Sequence, residues 1–158
     1  MNDAIHNIKI VGLGGMGVLS ASWVLAEAVF LAGYQVKKAE VHGMSQRGGS
    51  VASDVRFGPR VLSPTIPPGE VDFLLTLAPE WVDAHLGDLR ATGRLLGPAD
   101  VPGLANPRAL NVALLGALSR FLPVAEAAWH AALEKRFPAK LHAPNRAAFE
   151  LGRTAPAL

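Results

Sequence analysis

The chain of 158 residues has no cysteine, a single tyrosine and few charged side chains, 18% in all. Without thiols there are no disulfides, no cysteine nucleophile and no iron–sulfur cluster held by the chain's own thiolates. The formal net charge is only +2. Basic residues are scattered, and Lys37-Lys38 and Lys135-Arg136 are the only adjacent pairs. No aromatic residues alternate with arginine or lysine, so nucleic acid is not an expected partner. The five histidines, His6, His42, His85, His130 and His142, show no paired metal spacing, and no metal site is expected. Polar Asn2, Asp3, His6 and Asn7 break the N-terminal apolar run, which argues against a signal peptide. Residues 17–32 are apolar enough to consider for a membrane, but Glu27 and the preceding glycines favour a buried helix. A cytoplasmic protein with no membrane association is expected.

Half of the residues are hydrophobic, which suits a real core and a large partner-facing surface. One domain over residues 1–158 is expected, and the isolated chain is expected to self-associate. Ile8-Lys9-Ile10-Val11 alternates and is β-branched, as a first strand does. A glycine cluster and an apolar helix over 18–31 follow, the helix ending near Gly33. Residues 34–41 read as a second strand, which completes a βαβ unit. Ser50 to Phe57 alternates again, but only eight residues, His42 to Gly49, precede it. A parallel crossover needs about a dozen. This third strand is therefore expected to run antiparallel to its neighbour or to leave the sheet.

Val71 to Leu77 suits a sheet centre, and Pro79 suits the first turn of a helix running to about Leu89. Arg94-Leu95-Leu96 reads as a short strand. Helices are expected over 109–122 and 124–137, with a last one stopped by Gly152. The fold class expected is α/β, a three-layer, Rossmann-like sandwich with a mixed, mostly parallel sheet.

Two glycine-rich loops carry the candidate site. Gly12, Gly14 and Gly17 fit a dinucleotide fingerprint between strand and helix, with Gly15 among them. Glu40 sits near the position of a ribose-binding acid. The plain alternative is a tight turn against which a partner packs, and the bulk of Met16 favours it. The second loop places His42, Ser45, Gln46, Arg47, Gly48 and Gly49 in one short segment. Singly, a histidine is more often structural and an arginine more often a surface charge. Together, the glycine pair permits close approach, Arg47 can fork onto a carboxylate or phosphate, and His42 can donate to an oxo group.

The stretch Glu40-Val41-His42-Gly43-Met44-Ser45-Gln46-Arg47-Gly48-Gly49-Ser50-Val51 resembles the gamma-type subunit of 2-oxoacid:ferredoxin oxidoreductases, the pyruvate/ketoisovalerate oxidoreductase catalytic domain family, and within it the indolepyruvate branch, where the subunit is called beta. Gly12 to Leu19, Leu25 to Ala28, Ala32 to Lys37, Ser63 to Pro67, Asn111 with Leu114 to Leu118, and Asn145 with Ala148 to Gly152 extend the likeness over nearly the whole chain. Met16 stands where the family usually has Gln, and the segment between Leu96 and Asn111 is short for the family.

The resemblance implies oxidative decarboxylation of a 2-oxoacid, with electrons passed to ferredoxin or a similar acceptor and CoA a candidate co-substrate. It implies that thiamine diphosphate, magnesium and iron–sulfur clusters sit on larger partner subunits, with none bound by this chain alone. On that reading the second loop faces the partner's active site, and no catalytic residue proper is assigned. Two other readings stay open: a free-standing Rossmann-like dinucleotide-binding enzyme, and an assembly scaffold without a role in chemistry.

Overall fold

The computed structural model describes residues 4–42 and 49–156. Among the described residues five strands form one sheet, β1 (His6–Leu13), β2 (Gln35–His42), β3 (Ser50–Gly58), β4 (Val71–Thr76) and β5 (Leu89–Leu96), in the order β2-β3-β1-β4-β5. β3 pairs antiparallel with both β1 and β2, while β4 runs parallel to β1 and to β5. Four strands thus share one direction and β3 alone opposes them. The mixed, mostly parallel α/β sheet is the one expected from the sequence.

The short connection explains the insertion of β3. Its loop is too short for a crossover, so β3 folds straight back along β2 and takes the place beside β1. The expected βαβ unit is therefore split, because β1 and β2 are not neighbours. β1 becomes the middle strand, and β4 lies next to it.

One face of the sheet carries the main core. Ile8 and Ile10 of β1, Val55 and Phe57 of β3, and Leu75 of β4 point into it. Four helices cover that face, α1 (Val18–Leu31), α2 (Leu110–Ser119), α3 (Glu126–Arg136) and α4 (His142–Thr154). α1 and α2 lie on the sheet; α3 packs chiefly on α1 and α4 chiefly on α2. α1 stops where its sequence says it should. Gly33 takes φ +95°, its amide donates to the Phe30 carbonyl at 3.0 Å, and the Tyr34 amide donates to Val29 at 3.1 Å. This pattern closes the last carbonyls and needs a residue that tolerates left-handed backbone.

The other outer layer is thin. A smaller cluster of Val11, Ile66, Val71 and Leu74 is covered by the loop after β3 and by Pro79–Asp88. Pro79–Asp88 is helical over the span expected, but as a 3-10 helix with no buried residue. Its Gly87 and the acids Glu80, Asp83 and Asp88 interrupt any continuous apolar stripe that would hold an α-helix on the sheet. β5 also begins earlier than the three residues foreseen, because Leu89 pairs with Val71 across an irregular register. Ion pairs line this second face, where Lys9 bridges Asp54 at 2.8 Å and Asp88 at 3.6 Å, and Arg90 meets Asp72 at 2.9 Å. Among the described residues no helix is long and apolar enough to cross a membrane.

Candidate functional site

The first glycine loop joins β1 to α1. Gly12 still pairs with Val51 of β3. A methyl group on it would lie 2.9 Å from Val18 Cγ2 and 3.1 Å from Leu77 Cβ, so the glycine allows β1, β4 and α1 to close together. The Met16 amide donates to the Leu13 carbonyl at 3.1 Å, which forms the turn. The Met16 sulfur folds back to accept the Leu13 amide at 3.4 Å. Gly15 has φ +88° and open space around it. Gly17 caps α1 with φ +85°, and the Asn111 side chain occupies the position a Cβ would take. Asn111 Nδ2 donates to the Gly17 carbonyl at 3.2 Å. Gly17 brings no capping side chain to α1 and no acid lies in its first turn, which leaves its positive end open among the described residues.

Of the second loop, Gly49 and the backbone of His42 are described. Ser45, Gln46, Arg47 and Gly48 lie outside the described residues, as does the side chain of His42. The two ends of the loop are fixed by pairing, His42 opposite Val51 and Ser50 opposite Leu13. The Gly14 amide donates to the Gly49 carbonyl at 2.9 Å. The two glycine segments are thus stitched together at one end of the sheet, as their positions after strands suggested.

Two open clefts adjoin this junction. One, of about 370 Å³, is floored by Gly14, Gly15, Leu19 and Val51. The other, of about 740 Å³, runs from Gly15 and Met16 past Ser20 to Arg108, Asn111 and Phe137. Arg136 reaches Ser20 Oγ at 2.9 Å in this region. Near them Val41 is 67% exposed, and Met16 and Leu19 are exposed as well. Apolar side chains collected around a loop junction suit a surface that meets another molecule. Asn111, Arg108 and Phe137 were not singled out for the site from the sequence. Asn111 carried a signal nonetheless, as a polar residue opening an otherwise apolar helix.

Glu40 does not join the first loop. β3 lies between β2 and β1, and the register sets Glu40 level with Ile10, two strand spacings or about 9.6 Å across the sheet, so it lies farther still from the glycine turn. Its carboxylate is held by Lys38 Nζ at 2.7 Å. The fingerprint's acid is therefore absent from its place, and the dinucleotide reading loses its second element.

The sequence pattern of the family described as pyruvate ferredoxin/flavodoxin oxidoreductase matches residues 7–155. The chain is 49% identical over 88 residues to indolepyruvate oxidoreductase subunit IorB of Pyrococcus horikoshii, a stretch that is 56% of this chain and 44% of that protein. It is 43% identical over 88 residues to the subunit of the same name from Thermococcus kodakarensis, with the same coverage of 56% and 44%. The chain thus spans under half the length of these relatives. In fold it is similar to the gamma subunit of a keto/oxoacid ferredoxin oxidoreductase from Geobacter sulfurreducens, with a TM-score of 0.76 and 23% identity over 94% of this chain and 96% of that one.

Proposed function

This chain belongs to the pyruvate ferredoxin/flavodoxin oxidoreductase family, and on that premise we propose that residues 1–158 act as one gamma-type domain in a 2-oxoacid oxidoreductase complex. The complex oxidatively decarboxylates an aryl-pyruvate of the indolepyruvate kind and passes the electrons to a ferredoxin-type acceptor, with CoA as candidate co-substrate. The identity to indolepyruvate subunits supports the choice of substrate class.

The donor set of the chain does not fit the cofactors of such a complex. It has no thiolate for an iron–sulfur cluster and no Gly-Asp-Gly run for thiamine diphosphate and its magnesium. In this reading those groups belong to larger partner subunits in the cytoplasm.

What remains for this chain is to frame a site it does not own. The hydrogen bond from Gly14 to Gly49 carries this reading, because it fixes the root of the His42–Gly49 loop beside the open start of α1. Residues His42, Ser45, Gln46 and Arg47, with Gly48 and Gly49, then face the partner's active site or substrate channel, and the exposed Gly14 and Gly15 contact the partner while Gly12 and Gly17 shape the turn.

The test is Arg47→Ala in the reconstituted complex. Loss of a charge-assisted hydrogen bond of about 1.5–3 kcal/mol corresponds to roughly 10–100-fold lower turnover, with assembly intact. Turnover and assembly both unchanged would reject the assignment.

A further inference from the structure

Away from the glycine loops, Glu126, His130 and Glu150 converge on the outer side of the helical layer. Glu126 and His130 are four residues apart on α3 and share a face. Glu150 comes from α4. His130 Nε2 lies 3.2 Å from Glu126 Oε1 and 3.1 Å from Glu150 Oε1. All three donor atoms lie within 4.8 Å of one another.

As a purely polar cluster this arrangement is poorly satisfied. One imidazole nitrogen carries at most one proton, yet two carboxylates aim at it. The carboxylates also crowd each other. The Glu126 carboxyl beside it pushes Glu150 above the usual carboxylate range, with burial adding to the effect. Hydrogen bonds from Glu150 and then His130 hold Glu126 below that range. Two carboxylate oxygens and one imidazole nitrogen thus converge within 4.8 Å with acceptor capacity that a dication can fill.

We propose that Glu126, His130 and Glu150 form a binding site for a zinc-class divalent transition ion. A tetrahedral ion with bonds of about 2.0–2.1 Å sets its ligands about 3.3–3.4 Å apart. The two nitrogen–oxygen separations here, 3.1 and 3.2 Å, are already close to that edge. One imidazole with two carboxylates suits zinc and its neighbours, whereas magnesium and calcium prefer oxygen alone.

The surroundings hold the ligands in place. The His130 ring packs edge-on to Phe149, with centroids 5.2 Å apart. Arg153 Nε reaches Glu126 Oε2 at 3.3 Å, which leaves Oε1 free to ligate and offsets part of the acidic charge. His130 is mostly enclosed, while Glu126 and Glu150 are 43% and 39% exposed, so an ion can enter from solvent. Bound there, the ion would pin α3 to α4 and so join the pair α1–α3 to the pair α2–α4. No two histidines of the chain are paired in sequence, and the signal of this site is the four-residue Glu126–His130 spacing on one helix.

The test is a zinc titration of the full chain after chelator treatment, by competition with a chromophoric chelator and by thermal melting. About one equivalent should bind in the micromolar range and raise Tm. Cobalt in its place should give the visible absorption of a tetrahedral site. His130→Gln and Glu150→Gln should each weaken binding by about tenfold or more, since even partners behind the ligands contribute that much. Glu150→Gln keeps the size of a partly exposed side chain and an oxygen that can still meet His130, so it should fold and serves if His130→Gln does not. Absence of stoichiometric binding, or binding that Glu150→Gln leaves unaltered, overturns the proposal.

Discussion

Gly116 of α2 and Gly152 of α4 each lie against the backbone of the opposite helix. A Cβ on Gly116 would overlap the Phe149 carbonyl, and one on Gly152 would overlap the Ala113 carbonyl. The two helices therefore cross at backbone contact, with Leu114, Leu115 and Leu118 sealed on the sheet side. Neither obstacle is a flexible side chain, so alanine at either position must push the helices apart. Over-packing of this kind costs about 1–3 kcal/mol or more, against a gain of about 1 kcal/mol in helix propensity. Gly116→Ala and Gly152→Ala are each expected to lower stability by about 2 kcal/mol, measured by urea denaturation.

Gly17 and Asn111 form a second tight pair. Alanine at Gly17 meets both the Asn111 amide and a left-handed backbone, φ +85°. Asn111→Ala removes the hydrogen bond to the Gly17 carbonyl but also removes the steric conflict. Each single substitution is expected to cost about 1–2 kcal/mol. The double variant should cost less than the sum by about 0.5 kcal/mol or more, because the two residues share one space. Additive losses in a denaturation cycle would show that the contact is not the cause.

These pairs indicate how far sequence alone reaches. The reversal of β3 was readable because eight residues, His42 to Gly49, cannot make a crossover. The end of α1 was readable from Gly33, where local chemistry decides. The 3-10 character of Pro79–Asp88 was not, since Pro79 is equally at home in the first turn of either helix type and the outcome depends on how little the segment buries. Gly116 and Gly152 look like poor helix formers in the sequence; only the crossing of α2 and α4 gives them a reason. For the site, the meeting of the two glycine segments follows from strand order, which put Leu13 opposite Ser50. The separation of Glu40 from the first loop follows from that same order, and the βαβ reading hid it.

His6 makes stability depend on pH. Its ring stacks on Phe57 with centroids 4.7 Å apart. Burial pushes its pKa below the ordinary 6.5, and Asp72 offsets only part of that. Below about pH 6.5 the unfolded chain takes up this proton more readily than the folded one. The His6 contribution is therefore complete above that pH and is lost as pH falls through the lower folded pKa. His6→Phe keeps a ring against Phe57 and removes a buried Nε2 that has no hydrogen-bond partner among the described residues. Melting curves between about pH 7 and pH 5 should show a shallower loss of Tm in the variant than in the parent.

Met16→Gln tests the turn of the first loop. The Met16 sulfur is a weak acceptor for the Leu13 amide at 3.4 Å. A glutamine carbonyl at the same place is a stronger one, and Met16 is 38% exposed, so no core packing is lost. The variant is expected to be as stable as the parent or more stable by up to about 1 kcal/mol. Met16→Ala, which has no acceptor, should be less stable than both in thermal melts.

The isolated chain is expected not to bind NAD, NADP or FAD. The glycine turn and the open start of α1 offer amides that favour an anion, which is why the fingerprint looks persuasive in the sequence. A dinucleotide site needs more than a phosphate cradle, because the ribose must find its acid on the strand beside the turn. Here that neighbouring strand is β3, running the opposite way, and Glu40 is engaged with Lys38 on the edge strand. Two of the glycines also have a packing role that involves no ligand, Gly12 against Val18 and Leu77, Gly17 against Asn111. Titration calorimetry with each dinucleotide should show no binding tighter than about 100 µM, which is about −5.5 kcal/mol. A dissociation constant below about 10 µM would return the free-standing enzyme to first place, since no partner subunit is then needed to give the glycine loop a ligand.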